Sequence, residues 1–283
     1  MQISKNISVL FEKNSALLLI FLTLHQNFVM LMEKSNGSLI TTIENNIATV
    51  EFGHPASNSF PRELLDRLTN ELHTLSVNSE VTVIVLKSSG TAAFCAGASF
   101  DELLAVSSQD EATQFFSGFA NLLNAMRNCS KILIGRIHGK AVGGGVGIVA
   151  ACDYAFGTIQ SSMKLSELEI GIGPFVIEPA VTRKIGKSAM TEMTLDTEWK
   201  TAIWANQNGL FSKVFANQKI LDSEVMAFAN KLAGYNPEAL LEIKKTLWEG
   251  TENWDALLHE RAQISGKLVL SDFSRSALNK FKK

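Results

Sequence analysis

The residues of this chain best suited to chemistry fall in three short stretches. They are Phe94-Cys-Ala-Gly-Ala98, the triplet Gly143-Gly144-Gly145, and the carboxylates Glu167 and Glu169 within Lys164-Leu-Ser-Glu-Leu-Glu-Ile-Gly-Ile-Gly-Pro174. The first two carry almost no side-chain bulk. Glycine lets main chain approach a ligand with no Cβ in the way, and it tolerates positive φ. A helix opening at about Val146 would present unpaired N–H groups, and the positive end of its dipole, to whatever lies above the glycines. On the glycines alone, a tight turn in a buried βα unit explains the triplet equally well. The second small-residue turn shifts the balance, because two such turns can bring two backbone N–H groups to one point. Fixed donors of that kind stabilise the charge that grows on an ester or thioester carbonyl oxygen in the transition state. A carboxylate beside them works best as a proton carrier when an apolar pocket raises its pKa, and Ile170, Phe175 and Val176 could supply one.

These stretches need elements to hold them. Leu39-Ile-Thr-Thr-Ile43 and Ile47-Ala-Thr-Val-Glu-Phe52 read as a hairpin across Glu44-Asn-Asn46. Leu64, Leu65, Leu68, Leu72 and Leu75 repeat with helical period behind Pro61, placed at or near the first helical position. The apolar run 81–86 then reads as a strand covered on both faces. Strand, helix, buried strand is a βαβ unit. Residues 110–128 form an amphipathic helix, and Ile132-Leu-Ile134 is a second buried strand leading into the glycine turn. Residues 222–233 and 237–249 read as helices, the latter entered through Asn236-Pro237.

At 283 residues the chain is long enough to bury a real core, as one large domain or two small ones. A net charge of −2 gives no global basic field of the kind nucleic-acid binding needs, so no nucleic-acid partner is expected. Cys95, Cys129 and Cys152 are an odd, widely spaced set with no zinc-type pairing, which argues against a disulfide framework or a metal site and for a reducing, cytoplasmic setting. The apolar run 16–24 is too short to span a bilayer, and no membrane association is expected. It is read as part of an N-terminal extension, residues 1–37, that precedes the functional start, with Met30 or Met32 as the initiator.

The paired signatures Ala93-Phe-Cys-Ala-Gly-Ala98 and His138-Gly-Lys-Ala-Val-Gly-Gly-Gly-Val-Gly-Ile-Val-Ala-Ala-Cys-Asp153 resemble those of the enoyl-CoA hydratase/isomerase (crotonase) superfamily, over about residues 38–282. The resemblance implies an α/β fold, a crotonase-like ββα spiral over 38–220, followed by a C-terminal helical trimerisation part over 221–283. It also implies a homotrimer or dimer of trimers, and a coenzyme A thioester as substrate with no other cofactor. The backbone N–H groups of Ala98 and Gly144 correspond to the family's oxyanion hole. Ala96, Gly97, Gly143, Phe175 and Lys280 fall where relatives contact the substrate. In relatives a C-terminal Lys meets the CoA phosphates; the ungapped match here is Ser276, with Arg275 or Lys280 as substitutes.

Hydratases of the family share two glutamates that hold and activate water. The position of the first is Gly147, so that carboxylate is missing; the second matches Glu167, with Glu169 as a competitor one step away. Dienoyl-CoA isomerases use a further acid near the place of Phe175; Glu178, a turn later, is a candidate substitute, with a solvated or structural role the preferred reading. One glutamate suffices to move a proton between two carbons, whereas adding water is harder with one carboxylate. The expected activity is therefore double-bond isomerisation. The alternatives are an atypical enoyl-CoA hydratase, including 3-methylglutaconyl-CoA hydration, and a non-catalytic CoA-binding protein. His138 and Lys140 read as structural, and Asp153 as a residue that caps or pairs within the fold.

Overall fold

Asn45 and Asn46 turn the chain first. Both have positive φ (52° and 63°), the two-residue type I′ geometry that asparagine accepts, and they close the hairpin of β1 (Ser38–Glu44) and β2 (Ile47–Gly53). This computed structural model describes residues 36–280. The apolar run 16–24 and the alternative starts Met30 and Met32 lie outside the described residues.

Helix α1 (Arg62–Val77) follows, with Pro61 just outside it as the N-cap, and buries the leucines that the periodicity singles out. The chain then winds through repeated turns, each contributing one strand to each of two sheets before a helix. The first is β3 (Val83–Ser88), β4 (Ala93–Cys95), α2 (Phe100–Ala105) and α3 (Gln109–Asn128). The second is β5 (Ile132–Ile137), β6 (Lys140–Val142) and α4 (Gly144–Ala151). The third is β7 (Tyr154–Thr158), β8 (Ser162–Lys164), a 3₁₀ turn over Glu167–Ile170, and α5 (Glu178–Leu195). Then come β9 (Lys200–Thr201), α6 (Ala202–Gln207) and β10 (Lys213–Phe215). The larger sheet has the order β1-β2-β3-β5-β7-β10, parallel after the hairpin; the smaller runs β4-β6-β8-β9, with only its last pairing antiparallel. The ββα spiral expected from the sequence is present.

Alternation along β3 and β5 explains why both read as continuously apolar, since successive side chains point to opposite faces. Ile84, Leu86, Leu133 and Ile137 enter the main core, whereas Val83, Val85, Ile132 and Ile134 face Leu221, Val225 and Ala229 of α7 (Gln218–Ala233). Helix α7 therefore covers the outer face of the larger sheet and is continuous with the spiral. The chain ends in α8 (Pro237–Leu247), α9 (Trp254–Val269), which packs along α3, and α10 (Asp272–Asn279). Helix α10 leans on the 3₁₀ turn, where Phe273 and Ser274 crowd the space beside Gly171.

Candidate active site

The first small-residue turn is pinned from behind. Ala96 N–H donates to Ser57 O (3.1 Å), Phe60 N–H to Gly97 O (2.8 Å), and Ser99 N–H to Phe60 O (2.9 Å). This is a parallel bridge centred on Phe60 and Ala98, and it uses the carbonyl before Ala98 and the N–H after it. Ala98's own N–H therefore points the other way. Ser99 also caps α2 through its hydroxyl, which accepts from Glu102 N–H, and so fixes where the turn ends. Gly97 carries φ +87°, and a Cβ there would stand 2.9 Å from Val142 O and 3.6 Å from Gly144 N. The two turns thus touch, and glycine is required at their contact.

The second turn differs in one respect from the sequence expectation: α4 starts at Gly144 rather than about Val146, because Gly143, at φ +51° and ψ −118°, makes the turn by itself as N-cap. Its N–H donates to Lys164 O (2.9 Å). Neither the Ala98 nor the Gly144 N–H donates a hydrogen bond among the described residues, and both residues line one pocket. Below them Cys95 Sγ accepts from Gly97 N–H (3.3 Å), and burial pushes that thiol up to about 12, so it stays protonated. Two neighbouring, unengaged N–H groups are equipped to stabilise a carbonyl oxygen that gains charge.

Glu167 opens the 3₁₀ turn after β8 and brings its carboxylate against Gly143. A Cβ on Gly143 would lie 2.8 Å from Glu167 Oε1 and push the carboxylate aside, and the φ of +51° there itself favours glycine. The residue as a whole is half-buried, but Oε2 is closed to solvent and has no hydrogen-bond partner. Burial raises its pKa to about 7, against smaller lowering contributions from the backbone N–H groups of Glu167 and Ser166. Glu169 lines the same pocket in a different condition: exposed, and held below the usual carboxylate range chiefly by its bond to Lys164, 2.9 Å away. The rest of the wall is almost all apolar, from Phe100, Leu103, Phe115, Phe116 and Phe119 on one side to Ile172, Phe175 and Ile177 on the other. The cavity holds about 170 Å³.

Ala96, Gly97, Ala98, Gly143, Gly144, Glu167 and Phe175 all meet in this pocket. Lys280 does not line it. Arg275 borders an adjoining depression that shares Leu103 with it. Glu178 points elsewhere, accepting from Thr182 Oγ1–H (2.6 Å) and bordering a separate surface groove. His138 is buried, and burial with nearby Arg136 pulls its pKa down to about 4, so it is neutral. Lys140 lies over the Trp199 ring at 4.9 Å. Asp153 is fully engaged: it accepts from Leu133 N–H (2.8 Å) and Trp248 Nε1–H (2.7 Å), and pairs with Lys244 at 2.9 Å. Sequence reasoning missed Ile177 and Phe119, whose side chains fill the spaces left by Gly147 and Gly144. No local signal marks them, since each is paired with its glycine only through the fold. Among the described residues no cluster of three His, Cys, Asp or Glu is placed to hold a metal, and no helix is long and apolar enough to cross a membrane.

Residues 42–282 match the family described as Enoyl-CoA hydratase/isomerase. A 2,3-dehydroadipyl-CoA hydratase of Escherichia coli is 29% identical over 76% of this chain and 84% of its own length. A peroxisomal Delta(3,5)-Delta(2,4)-dienoyl-CoA isomerase of Arabidopsis thaliana is 26% identical over 64% of this chain and 69% of its own. A mitochondrial enoyl-CoA hydratase of Pongo abelii is 26% identical over 88% and 82%. Among solved structures, an enoyl-CoA hydratase from Bacillus halodurans shares the fold at TM-score 0.80 and 20% identity, covering 86% of this chain and 99% of that one.

Proposed function

The chain belongs to the enoyl-CoA hydratase/isomerase family, and from that premise we propose that it shifts a carbon–carbon double bond along an unsaturated acyl-CoA, with Glu167 as the sole proton carrier. The thioester oxygen sits between the N–H groups of Ala98 and Gly144. Ionised Glu167 takes a proton from Cα of a 3-enoyl thioester, the C–H pair passes into the dienolate, and the charge rests on the oxygen held by the two donors. Protonated Glu167 then delivers the same proton to Cγ, giving the 2-enoyl thioester. A pKa near 7 suits both halves, since such a group gives and takes protons with equal ease near neutrality.

One observation carries this reading. Of the two carboxylates lining the pocket, only Glu167 is shielded, with one oxygen left without a partner, while position 147 contributes no acid at all. The names of two relatives favour hydration as the second reading. Incubation with 3-enoyl-CoA and 2-enoyl-CoA, followed by the absorbance of the conjugated thioester and by chromatography, separates them. Interconversion of the two enoyl thioesters is expected. Conversion of 2-enoyl-CoA to 3-hydroxyacyl-CoA alone would select hydration, and no turnover by folded protein would overturn both.

A further inference from the structure

Gly143, the N-cap of α4, and Gly147, four residues on, are joined by the Gly147 N–H donating to Gly143 O (3.3 Å). The first abuts Glu167. Beside the second stands Ile177: a Cβ built on Gly147 would fall 2.5 Å from Ile177 Cγ2 and 2.8 Å from its Cβ. Ile177 is 3% exposed, directly precedes α5, and lines the same cavity as Glu167. A β-branched side chain has few χ1 rotamers, and one this enclosed cannot swing aside. A residue thirty positions later in the chain thus supplies the side chain that α4 lacks. The wall beside Gly147, about one helical turn along α4 from the glycine that abuts the carboxylate, is therefore hydrocarbon. A buried water needs about two to four polar partners, and this wall offers none.

We propose that Ile177, lodged in the space left by Gly147, is the residue that determines reaction specificity: by walling water away from the substrate it commits the bound thioester to proton return by Glu167 instead of hydration. The inference rests on the isomerase reading above. Hydration would bond a water oxygen to Cβ of the 2-enoyl thioester as the double-bond pair moves toward the thioester oxygen, with Glu167 relaying the water's proton to Cα. Isomerisation breaks and makes only C–H bonds. What separates the two outcomes is whether a water stands beside Cβ.

The test compares wild type, Ile177→Ala and Ile177→Val on 2-enoyl- and 3-enoyl-CoA, reading the ratio of 3-hydroxyacyl to isomerised product, with thermal melts and thioester binding as fold controls. Trimming Ile to Ala frees room for a water, which takes about 30 Å³ in the liquid. The ratio should rise roughly tenfold in Ile177→Ala, modest beside the ~10²–10⁴ that a positioned acid–base group supplies, and stay near wild type in Ile177→Val. If Ile177→Ala does not fold, Ile177→Thr, close in shape to Val but carrying a hydroxyl that can hold water, should shift the ratio the same way. A folded Ile177→Ala or Ile177→Thr protein that isomerises with an unchanged ratio overturns the inference alone. A wild type that converts neither thioester overturns the isomerase reading and the inference with it.

Discussion

Asp153 and Glu167 stand fourteen residues apart, both partly buried, and the fold treats them in opposite ways. Asp153, its side chain 9% exposed, is surrounded by donors: a strand N–H, an indole N–H and the ammonium of Lys244, which is itself 3% exposed. Its main-chain carbonyl also accepts from Lys184 Nζ (2.9 Å). It bolts β5, α5 and α8 to the end of α4. Glu167, beyond the start of the same helix, has an oxygen with no partner and a neighbouring wall of aromatic and aliphatic carbon. A carboxylate whose bonds are all made is fixed in charge and place. One shielded from water, with an oxygen left unpartnered, keeps its proton up to about pH 7 and can trade it near neutrality. The comparison separates structure from chemistry more clearly than residue type or burial does.

Removing each carboxyl should therefore produce opposite signatures. Glu167→Gln keeps the shape of the side chain and removes proton transfer, so turnover should fall by about 10²–10⁴ while thioester binding persists, as steady-state kinetics and calorimetric titration would show. Asp153→Asn leaves Lys244 buried without its counter-charge. Breaking one partner of such a pair costs about 3–5 kcal/mol, to be read as a lower urea midpoint, with turnover of the remaining folded fraction near normal. If Asp153→Asn instead removed turnover at full stability, the division between the two sites would fail.

The smaller effect concerns pH and has a definite sign. The unfolded chain releases the Glu167 proton near 4.5, whereas the folded chain holds it to about 7. The folded state therefore loses stability as pH rises between those values and levels off above. A rise from 4.5 to about 7 corresponds to at most ~3 kcal/mol. Glu167→Gln lacks this loss, so the stability difference between variant and wild type should swing by up to that amount in the variant's favour between pH 4 and 8. Melting both proteins across that range measures it, and a constant difference would mean that the carboxylate is solvated.

Much of this division was legible in the sequence. The two turns at 94–98 and 143–145 and the buried strands follow from residue type and order, because glycine placement and hydrophobic period are local properties; the choice of Glu167 over Glu169 rests on the family resemblance. The ion pair that sets Glu169 apart was not legible, since Lys164 faces it only after β8 ends and the 3₁₀ turn begins. Nor was the start of α4, which depends on the backbone angles of one residue, Gly143. The partners of Asp153 lie on three later and earlier elements, and the methyl groups of Ile177 reach Gly147 from another element entirely. The pattern within a segment was readable; which side chain fills a glycine's empty space was set by the fold.

The most direct test is a ¹³C NMR titration of the Glu167 side-chain carboxyl, assigned by difference against Glu167→Gln. A midpoint near pH 7 is expected for a shielded carboxylate with one oxygen unpartnered, poised for proton exchange. A midpoint at the ordinary value near 4.5 would show a solvated or ion-paired group and contradict the account.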